Sequence, residues 1–460
     1  MLHGHNLGHI GAGLLRRPWL RAAVAAGGAV ALVAAIALAA PLVASSASGH
    51  GSAQHRSQQG PSIPAWVGTW ASSPMDGTVN AFNASTCPAG SGQFTNQTVR
   101  NIVYTSVGGD RVRIRLSNAF GTAPLTIGDA SVAVAETGAE TVPGTMRQLQ
   151  FHGQTSVTIP AGDEVTSDPV QLTVHALEDL AVSVYVPSMS GPSTYHATAQ
   201  QDSFVSSAGD FATTDSAASY PTTITCWMFA DGVDVPGSTR VTGSVVAFGD
   251  SITDGFQSDA NANDRWPNVL ARRLDAISGP TLSVVDEGIS GNQVLTDSPF
   301  AGVSALHRLT RDVLDQPGAK AVILLEGIND IGFTDLGLDN PPATAASIEA
   351  GYEQIIAAVH AHGMKIYAGT LTPFLTLPVA TSGYQDAAGE VIREQVNHWI
   401  LTSGAFDGVI NFAGATADPS DPQAYNPVYD SGDHLHPNDV GYTVMGDLIP
   451  LSMLLGQNQN

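Results

Sequence analysis

The segment Val245-Val246-Ala247-Phe248-Gly249-Asp250-Ser251 sets the fold class of the second half of the chain. Its first residues are all apolar, without alternation of apolar and polar side chains, so the strand that they predict is buried on both faces. A glycine and two polar residues follow the strand, which is typical of a tight turn at its carboxyl end. We therefore expect the serine in this turn to face a molecule that approaches the edge of the sheet.

The same pattern recurs through residues 239–456, where short apolar runs alternate with stretches of helical periodicity. The further runs are residues 282–285, 321–325, 365–368 and 408–410, and the helical stretches between runs are residues 266–277, 304–315, 345–362 and 387–402. Buried strands that alternate with helices indicate a parallel sheet covered on both faces. The pattern thus predicts a doubly wound α/β domain, and ligands of such domains bind at the carboxyl ends of the strands.

Residues 65–238 show a different periodicity. Apolar and charged residues alternate strictly over 111–116, and a similar period of two extends over 180–186. Turn residues recur at short intervals, so this half is predicted to be an antiparallel β-sandwich accessory domain. Gly108-Gly109-Asp110 lies between the apolar residues 102–104 and the first alternating run, which predicts a hairpin there.

The N-terminal residues predict export from the cell. Arg16 and Arg17 precede an uncharged run over residues 22–44 that ends in small residues, which is the plan of a signal peptide over residues 1–47. A membrane anchor is the alternative, because the run is long enough to span a bilayer. The paired arginines also resemble a twin-arginine export signal. Residues 48–64, rich in Ser, Gly, Gln and His, predict a flexible linker.

The charge balance limits the class of partner. The 460 residues include 41 acidic and 18 Lys and Arg side chains, for a net charge of −23. Such a chain has no basic surface for nucleic acid and no attraction to an anionic membrane. We expect a secreted monomer with an uncharged substrate, and no stable membrane association after signal cleavage.

Cysteine usage agrees with export. Cys87 and Cys226 are the only two cysteines of the chain, and an even number in an oxidising compartment predicts a disulfide. Two free thiols are the alternative.

Four polar segments follow strands of the predicted parallel sheet and together suggest nucleophilic catalysis. Ser251 would be the nucleophile, while the backbone of the turn at Gly291 and the amide of Asn329 are donors suited to an oxyanion. Asp433 lies three residues before His436, close enough to hold the imidazole in one tautomer. The pattern His-x-His at 434–436 is also compatible with a metal, but no third strong ligand lies nearby, so we predict no metal site.

These segments, in this order, resemble the SGNH or GDSL hydrolase family over residues 243–455. The matching blocks are Gly249-Asp250-Ser251, Gly291, Gly327-Ile328-Asn329-Asp330 and Asp433-His434-Leu435-His436. The resemblance implies a three-layer α/β/α sheet of the flavodoxin-like kind and hydrolysis of carboxylic esters without a cofactor. It also implies a triad of Ser251, His436 and Asp433, with an oxyanion hole formed by the backbone of Ser251 and Gly291 and the side chain of Asn329.

The first half resembles, from its opening over residues 66–74, the β modules that precede such domains in secreted actinobacterial esterases. Its aromatic residues allow two interpretations: Trp66, Trp70, Tyr195 and Trp227 either stack on sugar rings or pack the core or the interface between the domains. We expect acetyl or short acyl esters of polysaccharides as substrates, chosen by loops over 372–383 and 415–431. A lipase acting on lipid or short-chain acyl esters is the alternative enzyme, and a non-catalytic carbohydrate-binding surface protein is the alternative of another class.

Overall fold

The computed structural model describes residues 63–78, 87, 93–339, 341–375 and 384–456. All of them belong to one compact unit. The predicted signal peptide and residues 48–62 of the predicted linker lie outside the described residues, so both stay predictions. Within the described residues, no helix is long and apolar enough to cross a membrane.

The first part of the described chain is built from antiparallel strands. They are β1 Trp66–Ala71, β2 Met75–Asp76, β3 Gln97–Tyr104, β4 Gly109–Ser117, β5 Leu125–Ile127, β6 Asp129–Val134, β7 Arg147–Gln148, β8 Val157–Ile159, β9 Glu164–Thr166, β10 Val170–Val174, β11 Asp179–Val186, β12 Thr194–His196, β13 Ser203–Val205, β14 Thr222–Ile224, β15 Trp227–Met228 and β16 Ala230–Pro236. One sheet has the order β1-β16-β4-β10, with β9 also beside β4, and a second has the order β14-β13-β3-β11-β6-β7. Smaller sheets are β15-β12-β2 and β5-β8.

The two larger sheets share one apolar core, which confirms the predicted antiparallel β architecture. Val112, Ile114 and Leu116 of β4 are fully buried in it, together with Val182 and Val184 of β11. The strict alternation of residues 111–116 thus places the aliphatic side chains inside the core and the arginines on the other face of the sheet. We call residues 63–238 the β region.

The hairpin predicted at Gly108 is wrong. Strands β3 and β4 lie in different sheets, and the residues between them cross from one sheet to the other. The backbone N–H of Thr105 donates to the Glu178 carbonyl at 3.0 Å, and that of Ser106 donates to the Thr69 carbonyl at 2.9 Å. A glycine-rich turn marks a change of direction, but the partner of each strand depends on which sheet can bury its apolar face.

The second part of the chain forms a five-stranded parallel sheet with the order β18-β17-β19-β20-β21. These strands are β17 Val241–Gly249, β18 Thr281–Gly288, β19 Ala319–Leu325, β20 Lys365–Gly369 and β21 Gly408–Ile410, and a small hairpin pairs β22 Ala417–Asp418 with β23 Asp421–Tyr425. The helices are α1 Ser251–Asp254, α2 Trp266–Ala276, α3 Ala305–Leu309, α4 Ile328–Asp335, α5 Ala345–Ala361, α6 Ala387–Thr402, α7 Phe412–Thr416, α8 Asp439–Leu448 and α9 Leu451–Leu455, and a single π-helical turn covers Thr310–Leu314. We call residues 239–456 the α/β region.

The predicted doubly wound fold is confirmed by this strand order. The chain moves from β17 to β18 in one direction and then returns past β17 to β19, so right-handed crossovers place their helices on opposite faces of the sheet. Helix α2 packs with α8, whereas α3 and α6 both pack against α5. The order reverses at β17, and the crevice outside the carboxyl end of such a strand is where ligands bind in this architecture.

The β region packs directly against the parallel sheet. Strand β1 lies beside β18, where the Ser283 hydroxyl donates to the Gly68 carbonyl at 2.6 Å. The backbone N–H of Gly68 donates in turn to the Pro317 carbonyl at 3.0 Å. These bonds hold the edge of the β region against strand β18 and the turn before β19.

The disulfide and the aromatic residues stabilise the interior of the β region. Cys87 and Cys226 form the predicted disulfide. Trp70, Tyr195 and Trp227 are buried, and the rings of Trp70 and Trp227 meet edge to face with centroids 5.0 Å apart. These three side chains therefore pack the core, in agreement with the second interpretation of the aromatic residues.

Candidate active site

Ser251 is the first residue of the one-turn helix α1, directly after the central strand β17. The Asp250 side chain caps this helix by accepting from the Ile252 backbone N–H at 2.9 Å. Gly249 has to be a glycine, because a Cβ there would overlap the Leu325 carbonyl of the neighbouring strand. The sharp change from strand to helix thus brings the Ser251 hydroxyl to the edge of the sheet.

The His436 side chain joins Ser251 to Asp433. Its Nε2 lies 2.8 Å from the Ser251 Oγ, and its Nδ1 lies 2.7 Å from the Asp433 Oδ2. The other carboxylate oxygen of Asp433 accepts the backbone N–H groups of Leu435 and His436, at 2.9 and 2.8 Å. The ring of Phe256 packs edge to face on the imidazole, with centroids 4.8 Å apart. Hydrogen bonds and packing therefore hold the imidazole in one orientation.

The charge of the Asp433 carboxylate determines which nitrogen of His436 carries a proton. Burial raises the pKa of the Asp433 carboxyl, but the hydrogen bonds from His436 and from the backbone outweigh burial and hold that pKa well below its usual range. The ionised carboxylate can only accept, so the His436 Nδ1 carries a proton. The Nε2 on the other side of the ring lies next to the Ser251 hydroxyl, where a general base has to be.

Gly291 and Asn329 lie at the same cavity as Ser251. This cavity has a volume of about 270 Å³, just below the roughly 300–1,000 Å³ that is typical of pockets for drug-sized ligands. It is lined by Ser251, Gly291, Asn329, Phe333, Leu336, Tyr384, Gln385, Asp433, Leu435 and His436. The structure thus brings together all five of the residues predicted for the triad and the oxyanion hole, from the carboxyl ends of β17, β18 and β19 and from the loop before α8.

Two residues that fix the Asn329 amide come from distant parts of the chain. The Tyr384 hydroxyl donates to the Asn329 Oδ1 at 2.6 Å, and the Asn329 Nδ2 donates to the Asn292 carbonyl at 2.8 Å. The first bond defines which end of the amide is the donor, and the second leaves one N–H of the amide group for another acceptor. No signal in the sequence links Tyr384 to this site, because it lies in a loop 55 residues after Asn329.

Asp330, next to Asn329, secures the loop that follows Gly291. Its two carboxylate oxygens accept the backbone N–H groups of Val294 and Leu295, at 2.7 and 3.0 Å. Burial raises the pKa of this carboxyl to about 7, although these two hydrogen bonds oppose the rise. The Gly-x-Asn-Asp block therefore supplies both an amide donor and a support for the neighbouring loop.

His434 lies outside this chain of hydrogen bonds. Its side chain is 55% exposed, and its Nδ1 lies 2.6 Å from the Asp430 Oδ2. Among the residues that the structure describes, no three His, Cys, Asp or Glu side chains are close enough to hold a metal ion.

The α/β region is similar to a known protein family. Residues 247–444 match the model of the GDSL-like lipase/acylhydrolase family. The match spans all the segments named above, from the turn of Ser251 to His436. The α/β region therefore contains a match to the GDSL-like lipase/acylhydrolase family, as the sequence motifs predicted, whereas the β region lies outside the matched residues.

Three solved structures that are similar to the chain each cover less than half of it. An aryl esterase of M. smegmatis shares 18% identity and a TM-score of 0.35, covering 45% of this chain and 95% of its own. A carbohydrate acetylesterase family member of Sinorhizobium meliloti shares 18% identity and a TM-score of 0.36, and the match covers 47% of this chain and 100% of that protein's chain. A GDSL-like lipase of Bacteroides thetaiotaomicron shares 17% identity and a TM-score of 0.34, covering 48% and 93%. No curated protein sequence matches the chain.

Proposed function

We propose that this protein is a serine esterase that hydrolyses carboxylic esters through Ser251, His436 and Asp433. The observation that carries the proposal is the continuous chain of hydrogen bonds from the Ser251 Oγ to the His436 Nε2, at 2.8 Å, and from the His436 Nδ1 to Asp433, at 2.7 Å. The three side chains are oriented as a nucleophile, a general base and a carboxylate that orients the base. The test is the loss of ester cleavage in variants of Ser251 and His436.

In the acylation step, the Ser251 Oγ attacks the acyl carbon while its proton moves to the His436 Nε2. The carbonyl oxygen becomes an oxyanion, and the backbone N–H groups of Ser251 and Gly291 and the Asn329 amide stabilise it. His436 then gives the proton to the alcohol oxygen as the ester bond breaks, which leaves an acyl-serine. Water, deprotonated by His436, attacks this acyl group; the bond between the acyl carbon and the Ser251 Oγ then breaks, His436 returns the proton to the Oγ, and the acid leaves. Loss of one oxyanion donor typically costs about 10²–10³ in kcat.

Acetyl or other short acyl esters of polysaccharides are the substrates that the site supports best. The cavity is small for a drug-sized or lipid ligand, and its partly apolar wall includes Phe333 and Leu435. The strongly acidic chain, with a net charge of −23, is unsuited to an anionic lipid surface. A lipid esterase is the second candidate, because Leu336 at the rim of the cavity is 46% exposed and Leu338 beyond it is 59% exposed.

An acyl-chain series separates these two substrate classes. We expect kcat/KM to be highest for nitrophenyl acetate or butyrate and to fall for the palmitate ester, because the cavity leaves a long chain in water. Acetylated xylan should be deacetylated in the same assay conditions. A maximum at palmitate, together with no acetate release from the polysaccharide, would instead support the lipid esterase.

The Tyr384 hydroxyl should matter to the rate through Asn329. We expect Tyr384→Phe to lower kcat by about 3- to 10-fold, the effect of one neutral hydrogen bond, while KM changes little. The matched control is Tyr185→Phe, because the Tyr185 hydroxyl also donates to an asparagine oxygen, that of Asn96 at 2.8 Å, in the β region. Equal kcat values for the two variants would contradict a role of Tyr384 in orienting the amide.

Export and domain organisation complete the proposal. We infer that residues 1–47 are removed during secretion, that residues 48–64 are a linker, and that an accessory domain over 65–238 precedes a catalytic domain over 239–456. The Cys87–Cys226 disulfide supports folding in an oxidising compartment. N-terminal sequencing of the protein from the culture medium tests this inference, and a start after Ala47 is the expected result.

A further inference from the structure

Asp254 connects the helix of Ser251 to the loop of Gly291. It is the last residue of α1, and its side chain is 3% exposed. Its Oδ2 accepts from the backbone N–H of Ser290 at 3.0 Å and from the Ser290 hydroxyl at 2.6 Å. A Cβ on Gly288 would overlap the Asp254 backbone, so the two segments touch without an intervening side chain. Because Ser290 directly precedes Gly291, the Asp254 carboxylate binds the residue next to the predicted oxyanion donor.

Two residues of the β region bind this same carboxylate. The His196 Nε2, at the end of β12, lies 3.0 Å from the Asp254 Oδ1, and the Thr198 hydroxyl contacts the Asp254 Oδ2. The Thr198 hydroxyl is also 3.0 Å from the Ser290 Oγ. The Thr198 side chain thus reaches directly from the β region to the loop that carries Gly291, whereas His196 is connected to that loop through Asp254.

The partners of the imidazole determine its charge. The His196 Nδ1 lies 3.0 Å from the Ser73 carbonyl, which can only accept, so this nitrogen carries a proton. The Nε2 faces a carboxylate, which also only accepts, so it carries a second proton. Burial lowers the pKa of His196, but the Asp254 charge outweighs burial and raises it, and the imidazolium in turn lowers the pKa of Asp254 against the effect of burial. His196 and Asp254 are therefore a buried ion pair.

A buried ion pair contributes little net stability, because desolvation of both charges offsets their attraction. Removal of one member of the pair has a larger effect, because it leaves an uncompensated buried charge that attracts water or a proton. Water or a proton bound to the Asp254 carboxylate would weaken its hydrogen bonds from Ser290. The pair is thus better suited to fixing a geometry than to stabilising the fold.

We propose that His196 is a positioning residue for the oxyanion hole, acting through Asp254 and Ser290 on the Gly291 backbone N–H. The β region then completes the active site of the α/β region by supplying the cation that fixes the Asp254 carboxylate. This inference rests on the proposed esterase function, in which Gly291 is an oxyanion donor.

The test compares His196→Ala and His196→Gln in the full chain with nitrophenyl acetate as substrate. We expect His196→Ala to lower kcat by about 10- to 100-fold, which is at most the effect of removing one oxyanion donor. The KM should change by no more than about twofold. The inhibition constant of a trifluoromethyl ketone, which forms a tetrahedral adduct, should rise by the same factor as kcat/KM falls. His196→Gln should recover part of the loss, because its amide N–H can replace the donor to Asp254.

Arg100→Met is the matched control. Arg100 is another fully buried cation of the β region, and it donates to the Ser183 hydroxyl at 2.9 Å and to the Thr214 carbonyl at 2.6 Å. Its loss should lower the unfolding temperature while kcat and the inhibition constant of the ketone stay unchanged. A His196→Ala variant that behaves like this control has lost only stability, which would overturn the positioning role.

Two further results distinguish a failure of the positioning role of His196 from a failure of the proposed esterase function. If His196→Ala does not fold, Thr198→Val removes a neighbouring contact of the same carboxylate, and an unchanged kcat in that variant would overturn the inference. If the unaltered protein cleaves no ester, or if its activity survives Ser251→Ala, the proposed function itself is wrong, whatever the His196 variants show.

Discussion

Ser251→Ala should abolish ester hydrolysis, with a loss in kcat on the order of 10⁶, the usual consequence of removing the nucleophile from such a triad. Without the Oγ no acyl-enzyme can form, and the remaining oxyanion donors act only on a direct attack by water. The substitution removes one buried oxygen, so the free energy of unfolding should change by no more than ~1 kcal/mol. Rates with nitrophenyl acetate and the unfolding temperature of both proteins measure these effects.

Labelling identifies the nucleophile independently. A serine-directed phosphonate should add to the peptide that contains Ser251, and mass spectrometry should find no adduct in Ser251→Ala. Ser258→Ala is the control, since this nearby buried serine donates to the Gly255 carbonyl at 2.7 Å and has no role in the proposed chemistry. A label on any other serine, or full activity without the Ser251 hydroxyl, would rule out the mechanism.

His436→Asn should lower kcat by at least about 10⁴-fold, because the substitution removes both the base for attack and the acid for the leaving group. The same substitution at position 434 provides the comparison. The backbone of His434 has φ of +63°, which asparagine tolerates, and its side chain bonds to Asp430 at the surface. His434→Asn should therefore retain activity within about twofold.

The pattern of the two histidine variants decides which imidazole is the base. Loss of activity on His434→Asn with activity retained on His436→Asn would reverse the assignment. Similar partial losses in both would instead indicate damage to the loop as a whole, and the unfolding temperatures would show it. The expected result is a large effect on kcat at position 436 with little change in unfolding temperature.

The sequence predicted the α/β region well because its signals are local. Residues 245–248 are apolar throughout and form part of the buried strand β17, and the glycine and polar residues after them mark its end, where helix α1 begins. The strict alternation of residues 111–116 also predicted β4 correctly. The partner of β4 was not predicted, because the glycines at 108 and 109 suggested a hairpin with β3, whereas pairing follows from the packing of two sheets.

For the candidate site, the motifs named residues that the structure brings together, but they gave no sign of the contacts between segments that hold those residues in place. Ser251 and His436 are 185 residues apart in sequence, and the common edge of a parallel sheet accounts for their meeting. Tyr384 carries no motif, although its hydroxyl bonds to the Asn329 amide. His196 would not be suspected from its sequence neighbours, since its partner Asp254 lies 58 residues further along the chain.

The sequence by itself therefore determined the class of fold and the chemical groups of the site, because periodicity and strand-end turns are properties of short segments. The tertiary structure alone decided which sheet each β strand joined, which amide end of Asn329 is the donor, and that the β region binds Asp254 beneath the Gly291 loop. These features depend on side chains that are distant in sequence and meet only when buried. Burial makes their unpaired polar and charged groups costly, so the folded packing, rather than any local pattern, selects their partners.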